Sequence, residues 1–216
     1  MNKEEFINEL KKISIEVTED ELNKLEEYYN LLIEWNKKVN LTRIVEKKEV
    51  YLKHFYDSLT LYKDVDLNND LYLCDIGTGA GFPGIVLKIF FPNLNITLVD
   101  SLQKRINFLN IVIEKLNLKN INTIHIRAED FCKNNKNKYD IVTSRAVSKL
   151  NNLLDYCIPI VKKNGYFVPM KAKCKEEIEE AQEKIKQKNL IIEKIDEFVL
   201  PFEESKRTIL KIKKVK

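Results

Sequence analysis

The sequence predicts an α/β fold, a doubly wound and mostly parallel seven-stranded sheet preceded by a helical N-terminal extension. Three observations carry that expectation. From Leu71 onward, short β-branched runs alternate with amphipathic stretches of helical period, and right-handed crossovers of that kind place parallel strands in one sheet covered on both faces. A glycine-rich string joins the first of these runs to the apolar stretch after it, the position at which open α/β sheets receive ligands. The first sixty residues hold no strand-like run and repeat apolar side chains at spacings of three and four. With 216 residues, 44% of them hydrophobic and only 5 Gly and 5 Pro, the chain has the apolar surface to offset the entropy of folding, which excludes a disordered or low-complexity protein. Its length suits one large α/β domain with an appendage.

The elements follow in order. A short helix is expected over Lys3 to Lys12. Thr18 and Glu21 match a capping box, and after them Leu22, Leu25, Tyr29 and Leu32 form an inward stripe on a helix running to about Val39. A third helical stretch runs from about Lys47 to Tyr62, so that residues 1–64 read as a helical cap and 65–216 as the sheet domain. The first four strands are LYLCDIG (71–77), NITLVD (95–100), INTIHI (121–126) and YDIVTS (139–144), with an amphipathic helix at Leu102 to Leu116. GYFVPMK (165–171), LIIEKIDEFVL (190–200) and RTILKIKK (207–214) add three more, the last two close enough to pair antiparallel. The apolar–basic alternation at the C-terminus reads as an exposed edge strand.

The formal net charge of +4 is too small to name a partner, but its placement is uneven. Residues 1–60 sum to −3, whereas residues 35–54 carry Lys37, Lys38, Arg43, Lys47, Lys48 and Lys53 against only Glu46 and Glu49. With Trp35, this stretch is a candidate RNA surface, and Lys37, Lys38, Arg43 and His54 are its substrate-binding candidates. The four cysteines form no CxxC pair and read as free thiols in a reducing cytosol, with no metal site. The N-terminus lacks an apolar leader and no apolar run approaches the roughly 18 residues of a membrane span, so a cytoplasmic protein is expected, away from membranes and monomeric.

The string Asp75-Ile76-Gly77-Thr78-Gly79-Ala80-Gly81-Phe82-Pro83-Gly84 is the most informative segment. Read from Gly79 it is GxGxxG, a dinucleotide fingerprint; read from Asp75 it is DxGxGxG, a loop that holds S-adenosylmethionine. A carboxylate at the strand end opposes a pyrophosphate but attracts the ammonium and sulfonium of the methyl donor, which favours the second reading. Asp100 ends the second strand 23 residues after Gly77, near the interval at which a carboxylate bonds ribose hydroxyls. Arg127-Ala128-Glu129-Asp130 ends the third strand, where an adenine would reach.

Taken with Trp35-Asn36-Lys37, Asn40-Leu41-Thr42, His54 and Asp57-Ser58-Leu59, Lys104-Arg105 with Phe108-Leu109, and Ser144-Arg145-Ala146, these strings resemble the bacterial 16S ribosomal RNA guanine-N7 methyltransferases, the glucose-inhibited division protein B family. The resemblance runs from about residue 20 to 214. It implies a class I methyltransferase (Rossmann-like) fold, S-adenosyl-L-methionine as cofactor, and methylation of a guanine in the 530 loop of 16S rRNA, at position 527, on the RNA or on a small-subunit particle. It also assigns Gly77, Phe82, Ala128, Glu129 and Arg145 to the methyl donor; the glycine pattern adds Gly79 and Gly81, and the strand end adds Asp100.

Guanine N7 carries no proton, so its attack on a methyl group requires alignment and desolvation but no general base. The sequence has Ser144-Arg145-Ala146 after the fourth strand in place of the Asn/Asp-Pro-Pro-aromatic string of amine methyltransferases, and no Pro-Cys nucleophile; Cys157 reads as a core thiol. Arg145 is expected near the reacting centre, holding the donor carboxylate, a phosphate or the guanine edge, and Arg145→Ala is expected to leave the fold intact while removing methylation. Two other activities fit the same motifs: methylation of a small molecule or protein, and a nicotinamide-dependent oxidation using the GxGxxG reading.

Overall fold

The computed structural model describes residues 1–215. Helix α1 (Lys3–Lys12) starts from a capping box: the Asn2 side chain accepts from the Glu5 amide and the Glu5 carboxylate accepts from the Asn2 amide. Thr18 and Glu21 make the expected box for α2 (Glu19–Val39). The buried stripe of α2 is Leu22, Leu25, Tyr28 and Leu32. Both Tyr28 and Tyr29 satisfy the helical spacing. Tyr28 goes inward because its hydroxyl finds the Ala80 carbonyl of the glycine loop, whereas Tyr29 reaches only the surface carbonyl of Val45.

Residues 47–63 are continuously helical but change pitch: α3 (Lys47–Val50), a π turn (Tyr51–Tyr56), α4 (Asp57–Leu59) and a 3-10 turn (Thr60–Lys63). The expected single helix thus has a wider turn in the middle, a feature periodicity does not signal. That turn buries His54 and Phe55, and Asp57 follows it, also buried.

The sheet has the order β3 (Ile121–His125), β2 (Asn95–Asp100), β1 (Tyr72–Ile76), β4 (Tyr139–Arg145), β5 (Val161–Lys171), β7 (Lys206–Lys214), β6 (Leu190–Val199). The first five are parallel, and β7 runs antiparallel to both neighbours. Seven strands and an antiparallel terminal pair match the sequence reading; the edge assignment does not. The strand at the edge is β6, and β7 lies between it and β5, because Ile209, Leu210 and Ile212 of β7 are buried on the two faces of the sheet.

Helices α5 (Gly84–Phe90) and α6 (Gln103–Lys115) cover one face together with the N-terminal helices; α7 (Ala128–Asn134), α8 (Leu150–Ile160) and α9 (Lys175–Gln187) cover the other. One apolar core runs without a break from Phe6, Leu25 and Phe55 through Phe108 to Leu73 and Ile209, so the N-terminal helices and this face of the sheet are packed as one body. All four cysteines are free and buried in or against the opposite core. Among the described residues, no helix is long and apolar enough to cross a membrane.

Candidate active site

The glycine loop leaves β1 with Gly77, Gly79 and Gly81 all at positive φ, a backbone that side chains with a Cβ adopt only at a cost. Amides of Gly77 and Thr78 both donate to Val99 O, which ties the loop to β2. A Cβ on Gly77 would stand 2.5 Å from Val147 Cγ2; at Gly79 there is open space. Asp75, which chose between ligands in the sequence reading, is turned inward. Its Oδ2 accepts from Thr78 Oγ1 at 2.7 Å and from the Gly84 amide at 2.9 Å, while Oδ1 is buried without a partner. Burial raises this carboxyl to about 6, against the lowering effect of those two bonds and of Arg145. Its position makes it the internal brace of the loop.

A cavity of about 500 Å³ opens at the C-terminal ends of the first four strands, lined among others by Gly77, Asp100, Arg105, Ala128, Glu129 and Tyr156. Asp100 already receives three donors: the Gly79 amide (2.9 Å) and Arg105 Nη1 (3.2 Å) on Oδ2, and the Leu102 amide (2.9 Å) on Oδ1. A carboxylate has about four lone-pair sites, which leaves room for one more donor. Of the residues expected to hold the methyl donor, Gly77, Asp100, Ala128 and Glu129 line this cavity, and Gly79 joins it through Asp100. Gly81, Phe82 and Arg145 lie outside its lining. A Cβ on Gly81 would meet the Tyr28 hydroxyl at 2.6 Å, and the Phe82 ring is sandwiched between Tyr28 (centroids 5.4 Å) and His54 (4.3 Å).

A second cavity of about 480 Å³ adjoins the first, with Ala146, at φ 56°, lining both. Its wall holds His54, Asp57, Arg145 and Arg207. Asp57 accepts from Arg207 Nε on both oxygens (3.1 and 3.0 Å) and pairs with Arg145 Nη1 at 3.4 Å. Arg145 also donates to Lys53 O (3.2 Å), and its Nη2 stands 3.3 Å from His54 Nδ1, with its guanidinium carbon 5.3 Å from the Phe82 centroid. Nδ1 also lies 3.2 Å from Lys53 O, and Nε2 stands 2.9 Å from Thr42 Oγ1, so both ring nitrogens are engaged within the protein. Burial, reinforced by the Arg145 charge, lowers His54 to about 3, so the ring is neutral near pH 7. His54 is therefore a buried wall of the second cavity.

Lys37, Lys38 and Arg43 are exposed and line neither cavity. Lys38 pairs with Glu34 and lies over Trp35, whose ring packs on Phe108. Sequence reasoning did not assign Arg207 or Ala146 a role of its own. The signal for Arg207 was present: in a lysine-rich chain with five arginines, Arg105, Arg145 and Arg207 each hold a buried carboxylate, a task that favours a planar fork over an ammonium.

The family model described as rRNA small subunit methyltransferase G, GidB, matches residues 21–209. The chain belongs to this family. It is 49% identical over 219 residues to ribosomal RNA small subunit methyltransferase G of Bacillus subtilis, covering 100% of this chain and 92% of the relative. It is 51% identical over 209 residues to the protein of the same name from Desulforamulus reducens, covering 95% and 87%. Among solved structures, a SAM-dependent methyltransferase from Aquifex aeolicus superposes with a TM-score of 0.60 at 18% identity, covering 79% of this chain and 94% of that one. A precorrin-6y C5,15-methyltransferase from Geobacter metallireducens gives 0.58 at 18% identity over 80% and 90%. The fold is that of the class I methyltransferases, and the protein is a GidB-family rRNA methyltransferase; the nicotinamide-dependent reading of the loop falls with that membership. The site fits S-adenosylmethionine: the cavity is walled on one side by a glycine that admits no Cβ, and the Asp100 carboxylate beside it keeps one acceptor site.

Proposed function

We propose that the protein methylates N7 of guanine 527 in the 530 loop of 16S rRNA, as a monomer in the cytoplasm, with the donor in the first cavity and the target base entering the second. The observation that supports this arrangement is Ala146, which lines both cavities and so marks where a nucleophile from one side meets a methyl group from the other. S-adenosylmethionine, when bound, supplies an electrophilic methyl group on a sulfonium.

Gly77, Gly79, Asp100, Ala128 and Glu129 would hold the donor: the loop by close backbone approach, Asp100 by its remaining acceptor site toward a ribose hydroxyl. Guanine N7 attacks with its in-plane lone pair, and no proton has to be removed. The side chains at hand agree with that chemistry, because His54 is neutral and bonded at both ring nitrogens, and Asp57 is committed to two arginines. What remains for these residues is to position the base and exclude water, an alignment worth up to roughly 7 to 11 kcal/mol in well-oriented reactions. Arg145 stays on the acceptor side, as a wall held by Asp57, Lys53 and His54. The test is a map of 7-methylguanine in 16S rRNA from cells that lack this protein: loss of the modification at position 527 is expected, and an unchanged profile would reject the assignment.

A further inference from the structure

The acceptor cavity continues into a third, of about 400 Å³, with which it shares Ala172, Lys173, Arg207 and Thr208. Together they form one groove that starts beside Ala146 and runs over the C-terminal end of β5 and the start of β7. We propose that this groove is the track of the single-stranded RNA flanking the target guanine, with Lys173, Lys175 and Lys206 holding its phosphates. The inference rests on the proposed reaction and adds to it the surface that grips the substrate.

Charge supports the assignment once paired groups are set aside. Asp57 is answered by Arg145 and Arg207, and Glu177 by Lys171 at 2.7 Å and by the Leu150 amide at 2.6 Å. Lys53 is held by Glu49 and Glu203. Lys173, Lys175 and Lys206 are exposed, and among the described residues no ion pair engages them; Glu197 is the acidic side chain that faces them in the third cavity. Three extended cations on the rim of a groove suit a polyanion that passes through it. Val199, 52% exposed, adds an apolar patch to the floor on which an unstacked base can rest. The groove also begins where the chemistry requires an RNA strand to end its approach, at the junction with the donor cavity. The 35–54 stretch has the same charge sign but lacks that continuity, since Lys37, Lys38 and Arg43 line none of the three cavities.

The experiment measures methylation of small-subunit rRNA, isolated from cells lacking the protein, by the full-length enzyme and two sets of variants. Lys173→Ala/Lys206→Ala is compared with Lys119→Ala/Lys136→Ala, an equal change of charge at exposed lysines beside the N-terminal ends of β3 and β4, remote from the groove. The groove pair is expected to raise KM for RNA about tenfold at physiological salt, with kcat and donor affinity unchanged. It should also flatten log(kcat/KM) against log[salt] by about 1.4, from roughly 0.7 per single-strand phosphate contact. Lys173→Arg/Lys206→Arg should restore both, and the control pair should match wild type. Equal KM and salt slope for the groove pair and the control pair would overturn the track while leaving the reaction standing; a wild-type enzyme that methylates no rRNA would overturn both.

Discussion

Arg145→Ala removes the side chain that ties the fourth strand to the π turn. It deletes the bonds to Lys53 O at 3.2 Å and Asp57 Oδ2 at 3.4 Å, the contact with His54 Nδ1, and the guanidinium above Phe82. Breaking one partner of a buried ion pair costs about 3–5 kcal/mol. Asp57 keeps Arg207 on both oxygens at 3.0 and 3.1 Å, and the Arg145 pair is the longer one, so the lower end applies, about 3 kcal/mol. For a chain of this size that lowers Tm by roughly 6–12 °C. The sequence alone gave no reason to expect this, since there Arg145 stood as a ligand-binding residue with an intact fold behind its truncation. The assay is thermal unfolding by circular dichroism at pH 7.5, with methyl transfer measured at 25 °C where the variant remains folded. Activity should fall at least 100-fold, and Arg145→Lys should recover part of the stability, because one ammonium can bond Lys53 O or Asp57 but not hold the fork geometry. A Tm within about 2 °C of wild type would refute the bracing role, and an active, folded variant would refute its place at the reacting centre.

Gly77→Ala should lose roughly 1–2 kcal/mol of stability, from a φ of 69° and a Cβ 2.5 Å from Val147 Cγ2, and should weaken S-adenosylmethionine binding in calorimetric titration; unchanged affinity would detach the loop from the donor. His54 folds with its proton affinity lowered from 6.5 to about 3, so the stability it contributes is present above pH 6.5 and is lost as pH falls toward 3. Acidification from pH 7.5 to 5 should therefore cost wild type roughly 2 kcal/mol more than His54→Gln in urea unfolding, and equal losses would contradict the buried neutral ring. Asp75, raised to about 6, works in the opposite sense, being relieved as pH falls from 6 to 3.8, but it is present in both proteins and drops out of the comparison. Single-turnover methylation should be flat from pH 6.5 to 8.5, since no base takes a proton; a rate that rises tenfold per pH unit would require one.

Hydrophobic period and glycine placement make the seven strands, their alternation with helices and the loop after β1 legible in the sequence, because those features are written locally. Placement within the sheet was less so. The apolar–basic alternation of β7 suits an edge strand, yet tertiary pairing puts it inside and leaves β6 at the margin. The choice between Tyr28 and Tyr29 depended on a carbonyl fifty-two residues away. The position of Asp75 at a strand end suggests a carboxylate facing a ligand, but it is bonded to its own loop, since strand-end position says nothing of which way a carboxylate turns. Phe82, His54, Asp57, Arg145 and Arg207 come together from four segments of chain, and only the fold shows that Arg145 and Arg207 share one carboxylate.

The most direct test of guanine-N7 methylation by this protein is in vitro transfer. Purified protein, methyl-labelled S-adenosylmethionine and small-subunit particles or 16S rRNA from cells lacking the protein are incubated, and the labelled nucleoside is identified after digestion. Label is expected in 7-methylguanosine at position 527 and nowhere else. Label on another atom, in another region of the RNA, or only in protein or small molecules would contradict it.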